Sequence, residues 1–203
     1  MGEAVPVGED DVPGAAAAAA RAFDDDAMFM FVFPDPSARP AKLDRFFRGA
    51  VRYGRLAGKA VTTPERAGVA IWLPPGSVDM SVVGMARAGM LAFPVTLGPG
   101  AFRRFVAYTG WLDGQRKALV PDPHWFLLAL GVDPVWQRRG VGTTLLAETL
   151  ADADRRGLPA YLETTDEGNI AYYARSGFAV VRDAVPDNAG PRTWLMLREP
   201  VGR

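Results

Sequence analysis

Apolar residues in this chain recur at two spacings, and the switches between them outline the elements. Ala4 to Val7 is a short apolar run and reads as a first strand. Val12-Pro13-Gly14 then opens six alanines, Ala15 to Ala20, ending in Arg21-Ala22-Phe23. Alanine has the best helix propensity and proline suits a first turn, which predicts a helix from about Pro13 to Phe23. Small alanine side chains also let such a helix lie close on a sheet. Asp24-Asp25-Asp26 stops it. Met28 to Phe33 follows as an apolar stretch closed by Pro34-Asp35-Pro36. Two readings stand for that stretch: a connector buried under the core, or a segment whose Phe29, Phe31 and Phe33 line a ligand pocket.

Within residues 38–56, Leu43, Phe46, Phe47, Val51 and Tyr53 follow helical spacing. Ala60 to Thr62 and Gly68 to Leu73 read as a hairpin across Pro64-Glu65-Arg66. Residues 77–122 are helical in character, with Val78 to Ala92 and Phe102 to Lys117 separated by Pro94 and Gly98-Pro99-Gly100. Roughly 45 residues between two strands exceeds an ordinary connection; the insertion either lids a site or adds a packing layer. Trp125 to Val132 shows no alternation, which predicts a central strand buried on both faces. Val141, Leu145, Leu146 and Leu150 then share one face of a helix over 140–154. Ala160 to Thr164 is the next strand, and Asn169 to Ser176 a short helix closed by Gly177. Residues 178–182 and 193–198 are the last strands, around a loop with Pro186, Asn188, Gly190 and Pro191. The order is β-α-α-β-β, a helical insertion, then β-α-β-α-β-β. It describes an α/β (α+β) chain, a mixed sheet flanked by helices, in one domain spanning residues 1–203.

Composition narrows the function. The 23 basic and 23 acidic residues cancel, so no net field draws in nucleic acid or an anionic membrane. Uninterrupted apolar runs fall far short of the roughly 20 residues that span a bilayer. The start is acidic and lacks the order of a signal peptide, and Pro6 stands where myristoylation after Gly2 needs Ser or Thr. A cytoplasmic protein, monomer or homodimer, is the expectation. With no cysteine and a single histidine, His124, no disulfide, thiolate nucleophile or metal site is expected.

The remaining chemistry gathers between Trp125 and Phe178, around Gln137-Arg138-Arg139-Gly140-Val141-Gly142. A strand, a sharp turn and a glycine-opened helix make a phosphate site, because the helix start offers unpaired N–H groups and a positive dipole end. Leu145 stands where a dinucleotide fingerprint has its third glycine, no ribose-binding acid follows, and no Gly-Lys-Ser/Thr follows Gly140.

Leu130-Gly131-Val132-Asp133-Pro134-Val135-Trp136 running into Gln137 to Gly142 resembles motif A of the GNAT family of N-acetyltransferases. Leu162-Glu163-Thr164, Asn169 and Tyr173-Ala174-Arg175-Ser176-Gly177-Phe178 resemble the family's second half, with the spacing between the halves kept. Within the family, Trp125-Phe126-Leu127, Tyr161 to Thr164, Gly190-Pro191-Arg192-Thr193-Trp194 and, more loosely, Val69 to Trp72 are similar to puromycin N-acetyltransferase-like members. The resemblance is carried from about Trp125 onward and little by what precedes.

The resemblance implies the GNAT fold, with a central, mostly antiparallel sheet splayed at the cofactor site and an acetyl-CoA-binding core over about 124–180. It implies acetyl-CoA as cosubstrate, its pyrophosphate on the amides of Arg138, Arg139, Gly140, Val141, Gly142 and Thr143. The Thr143 hydroxyl and the charge of Arg138 or Arg139 would add to that, unless the arginines only solvate a helix start. The pantetheine arm would pair with the main chain at Leu130 and Val132, about Gly131, and Asp133-Pro134 would end the ladder where the sheet opens. Tyr173 matches the tyrosine that protonates the departing thiolate; a phenol near pKa 10 stays protonated when a thiol near 8.5 does not. Tyr172 beside it faces away and packs under the last strands.

Glu163 is the candidate base toward the acceptor amine, directly or through water, with a structural carboxylate as its rival reading. Asn169 caps its helix and can also meet CoA. His124, roughly 20 Å from Leu130 along one strand, is structural. Phe31, Trp72 and Trp194 are candidates for an aromatic acceptor pocket. The activity implied is transfer of acetyl to a primary amine of a small, possibly antibiotic-like, molecule by direct attack in a ternary complex. The alternatives are an acetyl-CoA-binding sensor without turnover, or acetylation of a protein N-terminus or lysine.

Overall fold

The alanine run packs against one glycine on a strand. In the structure, a computed structural model describing residues 3–120, 123–187 and 190–202, helix α1 (Val12–Ala22) buries Ala15, Ala16, Ala18, Ala19 and Ala20. It lies across strand β4 (Trp125–Val132) so closely that a Cβ on Gly131 would sit 3.0 Å from the Ala19 Cα. Gly2, Asp122 at the end of the insertion, and Asn188 in the last loop lie outside the described residues.

Met28 to Phe33 is the connector buried under the core, and it is helical. It is helix α2 (Ala27–Val32), started by Asp26, whose carboxylate accepts the Met28 and Phe29 N–H groups at 3.0 and 3.2 Å. Phe29 and Phe33 go into the core, where Phe29 packs on Phe23, Phe46 and Phe47. Phe46 and Phe47 come from α3 (Arg39–Ala57), the helix that its apolar spacing predicts.

The expected hairpin forms from β2 (Lys59–Thr62) and β3 (Gly68–Leu73), with a two-residue β1 (Val5–Pro6) on its outer edge. The insertion holds α4 (Val82–Arg87), a 3-10 turn at Met90–Ala92, α5 (Phe93–Thr96) and α6 (Pro99–Leu119). Pro94 and Pro99 do not break helices here; each stands in the first turn of one. Phe93, Leu97, Ala101, Tyr108 and Leu112 are buried, so the insertion is a packing layer against α2, α3 and the sheet.

Helix α7 (Val141–Arg156), β5 (Ala160–Thr164), α8 (Gly168–Ala174), β6 (Ala179–Ala184) and β7 (Thr193–Arg198) complete one seven-stranded sheet, ordered β1-β2-β3-β4-β5-β7-β6. Among the described strands, only β4 and β5 pair in parallel. Each face of the sheet carries its own core. Val69, Ile71 and Leu73 pack under α1, α3 and α5, while Ala70, Trp72, Leu127, Leu162 and Met196 pack under α7 and α8. Among the described residues no helix is long and apolar enough to cross a membrane.

One expectation about β4 is corrected. It is not buried on both faces throughout, since Leu128, Ala129, Leu130 and Val132 are only half-buried. Its neighbour β5 leaves it part-way, so the second half lacks cover on one side. The α1 contact yields a prediction. Gly131→Val should lower stability by about 1–3 kcal/mol, since the Ala19 backbone cannot yield as a side-chain tip can. Denaturant unfolding of the variant and the parent measures it.

Candidate active site

The site is made where β4 and β5 part. They pair at Trp125↔Ala160, Phe126↔Tyr161 and Leu127↔Leu162, and no further. On its other edge β4 continues along β3 to Val132↔Gly68, with a register slip that leaves Leu128 as a bulge. A bulge bends and twists its strand, and this one sits where β5 departs. The sheet therefore opens after Leu127, not at Asp133-Pro134. From Leu128 to Val132 one edge of β4 has no strand beside it among the described residues, which is the form needed to take an extended ligand.

The far arm of the fork ends in the phosphate-type turn. Asp133 caps the 3-10 turn Pro134–Trp136 through the Val135 N–H at 3.2 Å and is held by Arg21 Nε of α1 at 2.8 Å. Gln137 turns its side chain back, its Nε2 donating to the Val132 carbonyl at 3.1 Å. Arg138 and Gly140 both take left-handed backbone, φ 58° and 81°, conformations that let successive N–H groups converge. Among the described residues the N–H groups of Arg138 to Thr143 have no backbone acceptor; the first return bond is Thr144 N–H to the Gly140 carbonyl at 3.0 Å. Unpaired N–H groups at the start of a 16-residue helix are the geometry that can cradle an anion. Arg138, Arg139 and Thr143 are exposed beside it, with the Arg139 guanidinium over the Trp136 ring at 5.3 Å.

Gly142 has a different duty from the one its motif suggests. It is buried, and a Cβ there would run into the Tyr172 hydroxyl. Tyr172 thus does not face away to pack under the last strands: it lies on the start of α7, with the Arg175 guanidinium over its ring. Tyr173 makes the contact with Phe178, ring centroids 6.0 Å apart. Its hydroxyl has no hydrogen-bond partner among the described residues. Burial above all, then Tyr172 and the Asp26 carboxylate, push the phenol up, so its proton is retained at neutral pH. Asn169 is not the cap of α8. Asp166 Oδ1 takes the Gly168 N–H at 2.8 Å, and Asn169 Nδ2 reaches the Thr164 hydroxyl at 3.3 Å.

Glu163 is the first residue of β5 beyond its last pair with β4, so it stands at the crotch of the fork. It is half-buried on the face away from α7, where the Tyr161 hydroxyl donates to its Oε1 at 2.8 Å. Burial pushes its carboxyl up to about 7, against the opposing pull of the Tyr161 bond and of Arg116. A carboxyl poised there exchanges a proton readily at neutral pH. Tyr108 of α6 lies on this side and its hydroxyl is bonded to Thr193. His124 is buried at the closed end of β4, edge-on to Tyr161.

A sequence profile of the acetyltransferase (GNAT) family matches residues 67–178, more than half of the chain. The chain belongs to the GNAT acetyltransferase family. An uncharacterised N-acetyltransferase of Schizosaccharomyces pombe is 25% identical over 198 residues, covering 94% of this chain and 80% of that protein. A solved Corynebacterium glutamicum structure, described as histone acetyltransferase HPA2 and related acetyltransferase, superposes with a TM-score of 0.67 at 22% identity, over 100% of this chain and 99% of the other. Arylalkylamine N-acetyltransferase 2 of Aedes aegypti gives 0.57 at 12% identity, over 97% of each. These likenesses bear on the fold. Members of the family use acetyl-CoA.

In this GNAT chain the three aromatics expected to share a pocket do not converge. Trp72 is fully buried in the core, edge-on to Trp125 at 6.4 Å, and offers no surface to a ligand. Trp194 is opposite Thr164, one residue out of phase with Glu163 and hence on the other face of the sheet. Phe31 alone lies on the Glu163 side, its ring 6.2 Å from Tyr108. Two residues beside the site were not singled out from sequence, Tyr108 and Asp26; Asp26 passed as a mere helix stop in an acidic triplet.

The Gly142 contact is testable as a pair. Gly142→Ala should cost about 1–3 kcal/mol of stability, and Tyr172→Phe in the same chain should recover much of it. A double-mutant cycle by thermal or denaturant unfolding reads the coupling.

Proposed function

We propose that this protein transfers acetyl from acetyl-CoA to a primary amine of a small molecule, by direct attack in a ternary complex. The observation that carries the reading is the fork. It puts an unpaired strand edge, an anion cradle and a carboxyl near neutrality at one opening. Acetyl-CoA, when bound, supplies the acetyl thioester. The cradle from Arg138 to Thr143 would hold the pyrophosphate, with Arg138 and Arg139 beside it, and the edge from Leu130 through Gly131 to Val132 would align the pantetheine arm. Gln137 keeps that turn against β4, and Asn169 steadies the end of β5.

Glu163 takes the proton that the amine must lose to attack, and Tyr161 holds the carboxylate in place. Tyr173 carries the proton that the sulfur needs on leaving; its hydroxyl is not spent on a protein acceptor. No cysteine exists to form a thioester acyl-enzyme, which favours direct attack. The resemblance of the Trp125 and Gly190 segments to puromycin N-acetyltransferase-like members supports a small, antibiotic-like amine as acceptor, with Phe31 and Tyr108 on its side of the sheet.

Release of CoA thiol from acetyl-CoA, against a panel of amines including puromycin and a lysine peptide, tests this. The chain contributes no thiol background. Release with a small amine is expected; release with the peptide alone, or none at all with acetyl-CoA still bound, overturns the reading. Tyr173→Phe should lower kcat by about 10²–10⁴-fold with little change in acetyl-CoA affinity.

Glu163 gives a prediction with a sign. kcat/KM should rise with pH and level off above about 7, as the base form fills. Stability should respond in the opposite sense. The carboxyl binds its proton more tightly folded than unfolded, so this group's contribution falls as pH rises from the ordinary carboxylate range to about 7. Glu163→Gln should therefore lose most turnover, yet at pH 8 unfold no more easily than the parent, gaining on the order of 1–3 kcal/mol. Parallel rate and melting measurements across pH 5 to pH 9 check both halves.

A further inference from the structure

The acceptor side of the fork carries a second carboxylate that the proposed chemistry leaves without a task. Asp26 sits in the turn between α1 and α2, fixed from two directions. Its Oδ1 caps α2 through the Met28 and Phe29 N–H groups, and its Oδ2 accepts the Thr165 hydroxyl at 2.7 Å. Thr165 directly follows β5 and lies two residues beyond Glu163, so Asp26 is tied to the chain just past the proposed base. Tyr108 senses both charges, and Tyr173 senses Asp26. Through Thr165, Asp26 is thus held at the end of β5 that carries the proposed base.

Asp26 is half-buried and has no cation among the described residues, in contrast to several paired acidic residues of this chain. Asp11 is paired with Arg66, Asp133 with Arg21, Asp154 with Arg198 and Asp183 with Arg192. Among the described residues no lysine or arginine pairs with Asp26 or with Glu163. Arg116, the cation whose charge reaches Glu163, is itself engaged by Asp79 and Asp113. A part-buried carboxylate held in one geometry without a counter-ion is costly. A positively charged ligand relieves that cost; a neutral or anionic one does not. Phe31, half-buried on the helix that Asp26 caps, supplies a flat apolar surface on that side, backed by the buried Tyr108, a setting that suits an ammonium group on an aromatic body.

We propose that Asp26 is the anionic anchor of the acceptor side, selecting primary amines that arrive as ammonium ions on a flat apolar body and rejecting those that also carry a carboxylate. The inference rests on the acetyl-transfer reading above for the place of the acceptor, and its test does not require turnover.

Asp26→Asn isolates the charge. Asparagine caps a helix as well as aspartate does, and its amide can keep the Thr165 contact. Calorimetric binding of phenethylamine and of phenylalanine to the full chain loaded with CoA reads the effect. The parent should bind phenethylamine about tenfold or more tightly than phenylalanine. In Asp26→Asn phenethylamine should weaken about tenfold and the two ligands should draw level, with melting temperature and CoA affinity unchanged. A parent that fails to bind phenethylamine, or shows no preference for it, overturns the proposal, as does a variant that keeps the preference. If the binding pattern holds while no acceptor releases CoA thiol, the anchor stands and the acetyl-transfer reading falls.

Discussion

Two neighbouring strands that run parallel for three residue pairs and then separate impose the rest of this structure. Backbone N–H and C=O groups inside a sheet need partners, and β4 loses one row of them after Leu127. β3 follows β4 across the bulge at Leu128, so the β4 arm stays anchored on one edge while the other opens. Everything proposed about chemistry lies on or beside that gap. Glu163 stands at its apex, and the cradle of α7 ends the far arm. Asp26 and Thr165 stand together where β5 runs out. A long cofactor arm with amide groups is the kind of ligand that such an edge is shaped to complete.

The β4 arm of the gap is also backed by close packing from the N-terminal half. Helix α1 can press on β4 because its contact residues are alanines and Gly131 has no Cβ to resist. At the end of the same helix, Arg21 grips Asp133, which in turn caps the turn leading to the cradle. The position of the turn and of the start of α7 thus depends on a helix more than a hundred residues earlier in sequence. This gives the alanine run a mechanical purpose: a bulkier face would stand off the sheet and carry the turn with it.

Much of this was legible in the sequence, and the failures have physical causes. The strand, turn and helix from Trp125 to Arg156 announced themselves because apolar run, Asp-Pro break and glycine-opened amphipathic helix are local signals. Helix α2 did not, since six residues of nearly unbroken apolar sequence carry no helical period; its signal was Asp26 as a cap, hidden by two preceding aspartates. The opening point of the sheet was misplaced to Asp133-Pro134 because proline is visible in sequence, whereas a bulge at Leu128 is a matter of pairing. The aromatic pocket failed for a related reason. Phe31, Trp72 and Trp194 share a residue class, but strand register decides which face of the sheet a strand residue occupies; it turns Trp72 and Trp194 to the α7 side, whereas Phe31 stands on helix α2, beside Tyr108 of α6.

The separation of faces bears on the proposed mechanism itself. Tyr173 belongs to the core beneath α7 and α8, with Leu162 and Phe178, whereas Glu163 projects from the opposite face, beside Tyr161 and Tyr108. In an unbroken sheet these two groups could not address one reacting centre, because the backbone layer would lie between them. The fork removes that layer just beyond Leu127 and Leu162, beside Glu163. A thioester lying in the gap can then be met by the base from one face and by the acid from the other. An acceptor that arrives as an ammonium ion first gives its extra proton to solvent; on attack the amine's remaining proton goes to Glu163 while Tyr173 protonates the sulfur, by separate routes. On this view the parted strands do more than bind a cofactor arm. They let two sides of a sheet act on the same bond, with Asp26 deciding which amine is admitted to the side where the base waits.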